Sequence, residues 1–400
     1  MKIYSKQTVF DAALDRIRYL FNEFPEVVCG FSGGKDSTVC LHLCLQVAKE
    51  TGRLPLKVLW IDQEVEWQGT VDFAESIMSM PDIEPLWFQM PMVITNNASS
   101  YERFNYCWRE SDRDKWAHPQ NPLSIKNNRY GTDRFHELFG AIFKVEFAKT
   151  KACYISGVRT QESPKRFVAL TETPTYKWIT WGKKLNSKLG HYTFYPIYDW
   201  DWRDVWKAIH DNGWKYNRVY DAMFRYGCQV KDMRISNLHH ETAIQSLLLV
   251  QEIEPDTWVR VADRISGANT IKHLKKNAFT CPGELPYMFK SWADYAHHII
   301  DNIIQDDKNK TAILKRMDKG LKTYVHEPIR SAFCQAVINS VLSSDWDWTK
   351  LTNFEMRQEN YTYRKWREGN ANLDMLKNSK HLPEFAINEI KTKLSRGALS

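Results

Sequence analysis

The 400-residue sequence has no C-x-x-C pair; its eight cysteines are scattered singly. That spacing leaves no zinc ribbon and no paired-thiol redox site. H-E-x-x-H does not occur either, which removes the zincin class. No apolar run is long enough to span a bilayer. The first residues lack the basic-then-apolar profile of a secretory signal, which argues against a disulfide framework and for a reducing cytoplasm. There is no internal repeat and no low-complexity tract. The net charge of +7 is modest for this length. It suits anionic substrates and is weak evidence for nucleic acid, which stays open as a partner. A Walker A loop is missing as well, because it would need glycine at Cys29 and Ser or Thr at Asp36.

What the sequence does have is a glycine turn between a strand and a helix. Val27-Val28-Cys29-Gly30-Phe31 reads as a buried strand, and the run from Thr38 to Leu45 as a helix packed on a sheet. Between them stands Ser32-Gly33-Gly34-Lys35-Asp36-Ser37. Such a turn gathers backbone N–H groups and the positive end of a helix dipole at one point, which suits phosphate. Gly33 and Gly34 permit positive φ and close approach of an anion, and Lys35 adds a point charge. Asp36 is placed to cap the helix or to hold a metal ion.

The chain continues with strands at 57–62 and 86–90, a helix over about 70–80 between them, a helix over 135–150 and a strand at 152–156. Alternating strands and helices predict a doubly wound, mainly parallel α/β sheet. Ligands of such sheets collect at the carboxyl ends of strands, so Asp62-Gln63-Glu64 should lie near the glycine turn. The segment 95–132 interrupts the pattern: it is basic and aromatic, with Tyr101, Arg103, Tyr106, Trp108, Arg109, Trp116 and His118, and with Pro119 and Pro122. A substrate lid, a base-stacking surface and a decorated surface insert are all consistent with it. Arg159, Lys165 and Arg166 follow the 152–156 strand and should form an anion site beside the turn. Glu162 is the only acid in that loop, so the two arginines are expected to serve a ligand rather than the fold. Beyond residue 231 the sequence reads as helices separated by prolines. His239-His240-Glu241 and His297-His298 lack metal-binding spacing and read as surface or cap histidines.

Three ordered motifs carry a resemblance to a known family. The hexapeptide 32–37 resembles the PP-loop, S-G-G-x-D-S, of ATP pyrophosphatases and phosphoadenylyl-sulfate (PAPS) reductases. Gly157, Arg159, Glu162, Ser163 and Arg166 resemble the G-x-R-x-x-E-S-x-x-R signature of the same superfamily. Tyr195-Pro196-Ile197-Tyr198-Asp199-Trp200, then Asp204-Val205-Trp206, Tyr216-Asn217 and Gly227-Cys228, resemble its third signature. The region beyond 231 is similar to the IbrA-like branch, with a DUF3440-type C-terminal domain.

The resemblance implies a nucleotide domain of the adenine-nucleotide α-hydrolase-like (HUP) type over residues 1–230 and a mainly helical domain over 231–400. It implies ATP with magnesium as the cofactor pair, Asp36 or Asp62 meeting the metal, and adenine received by the second strand around Trp60. It further implies a nucleotide site of Ser32, Gly33, Gly34, Lys35, Asp36, Ser37, Trp60, Asp62, Gly157, Arg159, Glu162, Ser163 and Arg166, with Lys35, Asp36, Arg159 and Arg166 closest to the chemistry. Members of this branch are often paired with a ParB/sulfiredoxin-like partner protein. The expected reaction cleaves ATP between the α- and β-phosphates. Thiol-based PAPS reduction through a cysteine elsewhere, such as Cys228, is a rival, although the C-terminal E-C-G-[IL]-H segment that such reductases use is missing. A non-catalytic, ATP-dependent regulator is the other rival.

Overall fold

A computed structural model describes residues 6–96, 102, 104–235, 238, 244–268, 281–304, 306–343, 345 and 347–397. The His239-His240-Glu241 run, and Tyr101 and Arg103 of the 95–132 segment, lie outside the described residues. The chain divides into two compact units, residues 1–96 with 104–269, and residues 97–103 with 270–400.

The first unit is built on a six-stranded sheet. Helix α1 (Val9–Glu23) precedes β1 (Glu26–Gly30), then come α2 (Lys35–Glu50), β2 (Leu56–Ile61), α3 (Gln68–Met78) and β3 (Ile83–Phe88). A hairpin of β4 (Met92–Thr95) and β5 (Phe104–Cys107) follows. Helix α4 (Phe135–Glu146) leads to β6 (Ala152–Ile155), and a short α5 (Pro164–Thr171) to β7 (Gly182–Asn186) and β8 (His191–Phe194). The unit ends with α6 (Trp202–Asp211), α7 (Val219–Arg225), α8 (Ile244–Ile253) and α9 (Pro255–Arg264).

The strand order is β3-β2-β1-β6-β8-β7. All pairs are parallel except β7–β8 at the edge. The α/β class expected from the sequence is therefore present, with one antiparallel strand that the sequence reading did not include. Its polar run Gly-Lys-Lys-Leu-Asn fits an edge, where exposed lysines discourage further pairing.

Side-chain alternation makes a core on each face of the sheet. Val27 and Cys29 of β1, Val58 and Trp60 of β2 and Cys153 of β6 pack with α1, α2 and α6 on one face. Val28, Leu59, Ile61 and Ala152 pack on the other with Leu138, Ile142 and Phe143 of α4. Cys40 and Cys44 are buried on α2, as core residues. The chain runs outward from β1 to β3 and then crosses to β6 on β1's other side. The carboxyl ends of β1 and β6 therefore meet at a topological switch point, where open α/β sheets bind ligands.

The 95–132 segment is fastened to this unit. Trp108 and Cys107 are buried, as are Ala117, His118 and Tyr130. The turn after β2 supplies the anchors. Glu64, at φ 70° and fully buried, accepts the N–H of Trp108 at 2.7 Å and of Ala117 at 3.3 Å. The Arg264 guanidinium of α9 completes its shell, with Nε 2.5 Å away. The described part of the segment is thus packed as an extension of the second core.

The second unit is helical in its described residues. Helices α10 (Trp292–Ile303), α11 (Asp307–Thr323), α12 (Glu327–Leu342) and α13 (Thr349–Arg367) surround Ile300, Met317, Phe333, Val337 and Ile338. A smaller cluster joins Tyr363 to Leu382, Ala386 and Ile390, the last two from α14 (Glu384–Gly397). Among the described residues, no helix is long and apolar enough to cross a membrane.

Candidate functional site

The glycine turn leaves β1 at Gly30 and enters α2 at Lys35. Gly33 has φ +68°, in the left-handed region that glycine reaches without strain. Gly34 is the N-cap and has no side chain to cap the helix. The Ser37 hydroxyl braces the turn instead, accepting the Ser32 N–H at 3.2 Å and donating to the Gly34 carbonyl at 2.9 Å. The Lys35 N–H donates to the Tyr220 hydroxyl at 3.1 Å. This geometry points helix N–H groups and the dipole's positive end into a cavity of about 770 Å³.

Gly157, beyond β6, explains how the second motif reaches this turn. A Cβ there would lie 2.6 Å from the Asp36 carbonyl carbon and oxygen and 2.8 Å from the Ser37 nitrogen. Only glycine lets the strand end press against the helix start. Two residues on, Arg159 turns into the cavity and its Nε pairs closely with Asp36. Its Nη1 donates to Gln161 at 2.9 Å. Ser163 caps α5 by accepting the Arg166 N–H at 3.2 Å, and Glu162 accepts the Arg159 N–H at 3.2 Å and pairs closely with the Arg166 guanidinium.

Ser32, Gly34, Lys35, Asp36, Ser37, Trp60, Gly157, Arg159, Glu162 and Arg166 line one cavity. Gly33, Asp62 and Ser163 do not. Two expectations need correction. The arginines are not without acidic partners: Asp36 arrives from α2, a partner invisible in the loop's own sequence. Asp62 does not line the cavity. It is fully buried, and it accepts the Glu64 N–H at 2.9 Å, Trp87 Nε1 at 3.2 Å and Gln89 Nε2 at 2.8 Å. His118 Nε2 lies 3.5 Å from it, at ion-pair distance. Burial pulls the His118 pKa down, but the Asp62 charge and the Pro119 carbonyl outweigh it, and the net direction is up.

These placements bear on magnesium. Asp62 has its oxygens committed to protein donors, and Asp36 is held between Lys35, at 3.1 Å, and Arg159. Among the described residues, no group of three or more His, Cys, Asp or Glu is arranged to hold a metal ion. Asp36 and Asp62, the two carboxylates expected to meet magnesium, are thus both held by protein donors.

Sequence reasoning missed several lining residues. Lys231 and Arg234 follow the third motif and bring the cations to five, with Lys35, Arg159 and Arg166. Burial lowers the Lys35 pKa, Asp36 raises it, and Arg159 and Arg234 lower it further; the net is a decrease. Burial and the neighbouring Arg234 likewise lower that of Arg166. Cations that depress one another in this way gain from a polyanion. Phe135, Phe139 and Tyr154 line the cavity beside Leu59, Trp60 and Ile61, and Trp60 stacks on Trp87 at 5.1 Å. Gln63 and Glu66 also line it. The run Lys-Asp-Met-Arg at 231–234 was the one available signal for the extra cations. Glu66 had none.

The third motif is scaffolding. Asp199 binds Arg16 at 2.7 Å, and the Tyr198 carbonyl accepts the Thr160 N–H at 2.8 Å, which supports the arginine loop. Trp200 is buried and donates to the Val9 carbonyl at 3.0 Å. Asn217, also buried, ties α3 to α7 through Thr70 at 2.9 Å.

The family model described as "Phosphoadenosine phosphosulfate reductase domain" matches residues 26–231, and "Domain of unknown function (DUF3440)" matches 227–388. The chain is 29% identical over 277 residues to the uncharacterized protein YbdN of Escherichia coli (strain K12), covering 67% of this chain and 68% of that one. It is 22% identical over 229 residues to the adenosine 5'-phosphosulfate reductase of Bacillus cereus (strain Q1), covering 56% and 82%. The Candida glabrata FMN adenylyltransferase in complex with FMN and the ATP analogue AMPCPP aligns with a TM-score of 0.34 and 15% identity, over 55% of this chain and 64% of that one.

Proposed function

The chain belongs to the phosphoadenosine phosphosulfate reductase domain family, and on that premise we propose that it binds ATP and cleaves it between the α- and β-phosphates. The observation that carries this reading is the convergence of Lys35, Arg159, Arg166, Lys231 and Arg234 on a helix start whose N-cap, Gly34, has no side chain, at the sheet's switch point. A triphosphate is the polyanion that such an arrangement suits.

The chemistry follows from the charges. An acceptor oxygen attacks the α-phosphorus while the Pα–O–Pβ bond breaks. The electron pair leaves with pyrophosphate, and the acceptor proton passes to solvent. AMP is transferred to the acceptor, or released when the acceptor is water. Negative charge grows on the bridging and pyrophosphate oxygens as the bond breaks. Lys35 and the N–H groups at the start of α2 stabilise it where it develops, and Arg159 and Arg166 orient the α-phosphate. Asp36 holds Arg159 and Lys35 in place beforehand, so little reorganisation is left to the reaction.

A thiol-dependent reductase is the weaker reading, because no cysteine is among the described residues lining the cavity. The thiols of Cys40, Cys44 and Cys107 are pushed well above their usual pKa by burial, which leaves them poor nucleophiles. The proposal is tested by calorimetry of the purified full chain with ATP and with pyrophosphate. Lys35→Ala should weaken both by about tenfold or more, the loss of one charge-assisted phosphate contact. Equal affinities for wild type and variant would remove the reading. ATP bound but never cleaved, with any acceptor or with water, would leave a nucleotide sensor in its place.

A further inference from the structure

The start of α2 is ringed by hydroxyls. A Cβ on the N-cap Gly34 would lie 3.4 Å from Ser32 Oγ, 3.6 Å from Tyr220 Oη and 3.9 Å from Ser37 Oγ. The two serine hydroxyls bond to each other at 3.1 Å and brace the turn. Tyr220 comes from α7 and belongs to none of the three motifs.

Tyr220 is 3% exposed and lines the cavity. Its ring stands edge-on to Trp206 at 5.4 Å, and the Lys35 ammonium lies over it, 5.5 Å from the centroid. Asn217 fixes the start of α7 by accepting the Val219 N–H at 3.0 Å. The hydroxyl oxygen is thereby held where it accepts the Lys35 N–H at 3.1 Å. Its own hydrogen makes no hydrogen bond among the described residues. A hydroxyl donates as well as accepts, and a buried donor without an acceptor costs stability unless a ligand meets it. Burial is the main cause that raises the Tyr220 pKa, so the O–H keeps its proton at neutral pH.

We propose that the Tyr220 hydroxyl is a catalytic donor of this site, taking the Lys35 N–H and giving its own hydrogen to an oxygen of the departing pyrophosphate, an inference that rests on the ATP reading above. The first N–H of α2 is covered by Tyr220 and meets the ligand only through it. The amide polarises the hydroxyl, which makes the O–H a stronger donor. Five cations and the helix dipole surround that hydrogen, so its partner is an anion. The nearest acid, Asp36, is already committed to Lys35 and Arg159. A phosphate oxygen is the acceptor that remains. Its negative charge grows as the Pα–O–Pβ bond breaks, so the hydrogen bond strengthens in the transition state. The scaffolding of the third motif then has a task at the site, which is to hold this hydroxyl in place.

The test is calorimetry of the full chain with inorganic pyrophosphate. Tyr220→Phe keeps the ring against Trp206 and Lys35 and removes one oxygen. Its pyrophosphate affinity should fall about tenfold, the worth of one hydrogen bond to a charged group. Replacing Tyr220 by 3-fluorotyrosine, which keeps both ring and hydroxyl, should leave the affinity near that of wild type. Unchanged or tighter pyrophosphate binding in Tyr220→Phe would overturn the assignment, because the hydroxyl would then only fill the helix start. A loss of affinity in the 3-fluorotyrosine protein as large as in Tyr220→Phe would overturn it too. If Tyr220→Phe does not fold, the fluorine resonance of the 3-fluorotyrosine protein decides: a shift on adding pyrophosphate supports the assignment, and a resonance that stays put overturns it. Failure of wild type to bind either pyrophosphate or ATP would instead sink the ATP reading, and this inference with it.

Discussion

At the scale of single residues, the site is set by atoms that cannot be exchanged. Gly157 is the clearest case, because a methyl group there would strike the backbone of Asp36 and Ser37, which cannot rotate away. Gly157→Ala should cost about 1–3 kcal/mol and shift the start of α2. A lowered melting temperature together with weakened phosphate binding is the expected result. A variant as stable as wild type would show that the two segments are not in contact. Glu66 gives a pH signature. Its folded pKa lies above its unfolded value near 4.5, so the stability it permits is fully present below that pH. That stability is then lost as pH rises toward the folded pKa. Glu66→Gln should therefore match wild type near pH 4 and exceed it in melting temperature near pH 8. Parallel melting curves for the two proteins across that range would contradict the burial of the Glu66 carboxyl.

At the scale of elements, the legible parts were those with local periodicity or dense motifs. The order β1, glycine turn, α2 was readable because six specified residues sit between two apolar runs. The edge pair β7–β8 was not, since His191–Phe194 is only four residues long and Gly182–Asn186 is mostly polar. Long-range partners were the main loss. Glu64 looked like part of an acidic tip for a ligand, yet it holds Trp108, Ala117 and Arg264, the last 200 positions away. Breaking this buried pair by Glu64→Ala should cost about 3–5 kcal/mol, since Arg264 is left without its main partner. Hydrogen exchange should accelerate at residues 104–118 more than in β1 and β2. Equal protection of that segment in wild type and variant would show that Glu64 does not anchor it.

At the scale of the whole molecule, the two compact units should answer to ATP differently. Every residue lining the cavity belongs to the first unit. Ligand at a hundredfold excess over its Kd stabilises the unit that binds it by about 2.7 kcal/mol. Protection against hydrogen exchange should rise across the sheet and α2, while the core of α10–α13 keeps its rates. The sequence boundary near residue 230 follows the end of the third motif. The compact unit runs to residue 269, because Glu254, at the junction of α8 and α9, accepts the Gln68 and Gly69 N–H groups at 2.7 and 3.0 Å and so closes the start of α3. A single-sequence reading had no way to see that cap. The central claim is cleavage between the α- and β-phosphates at the Lys35 site, and phosphorus NMR of ATP incubated with the full chain tests it most directly. AMP, free or attached to an acceptor, should appear with one pyrophosphate for each ATP lost, and Lys35→Ala should stop both. Production of ADP and orthophosphate, or an AMP yield that survives Lys35→Ala, would contradict it.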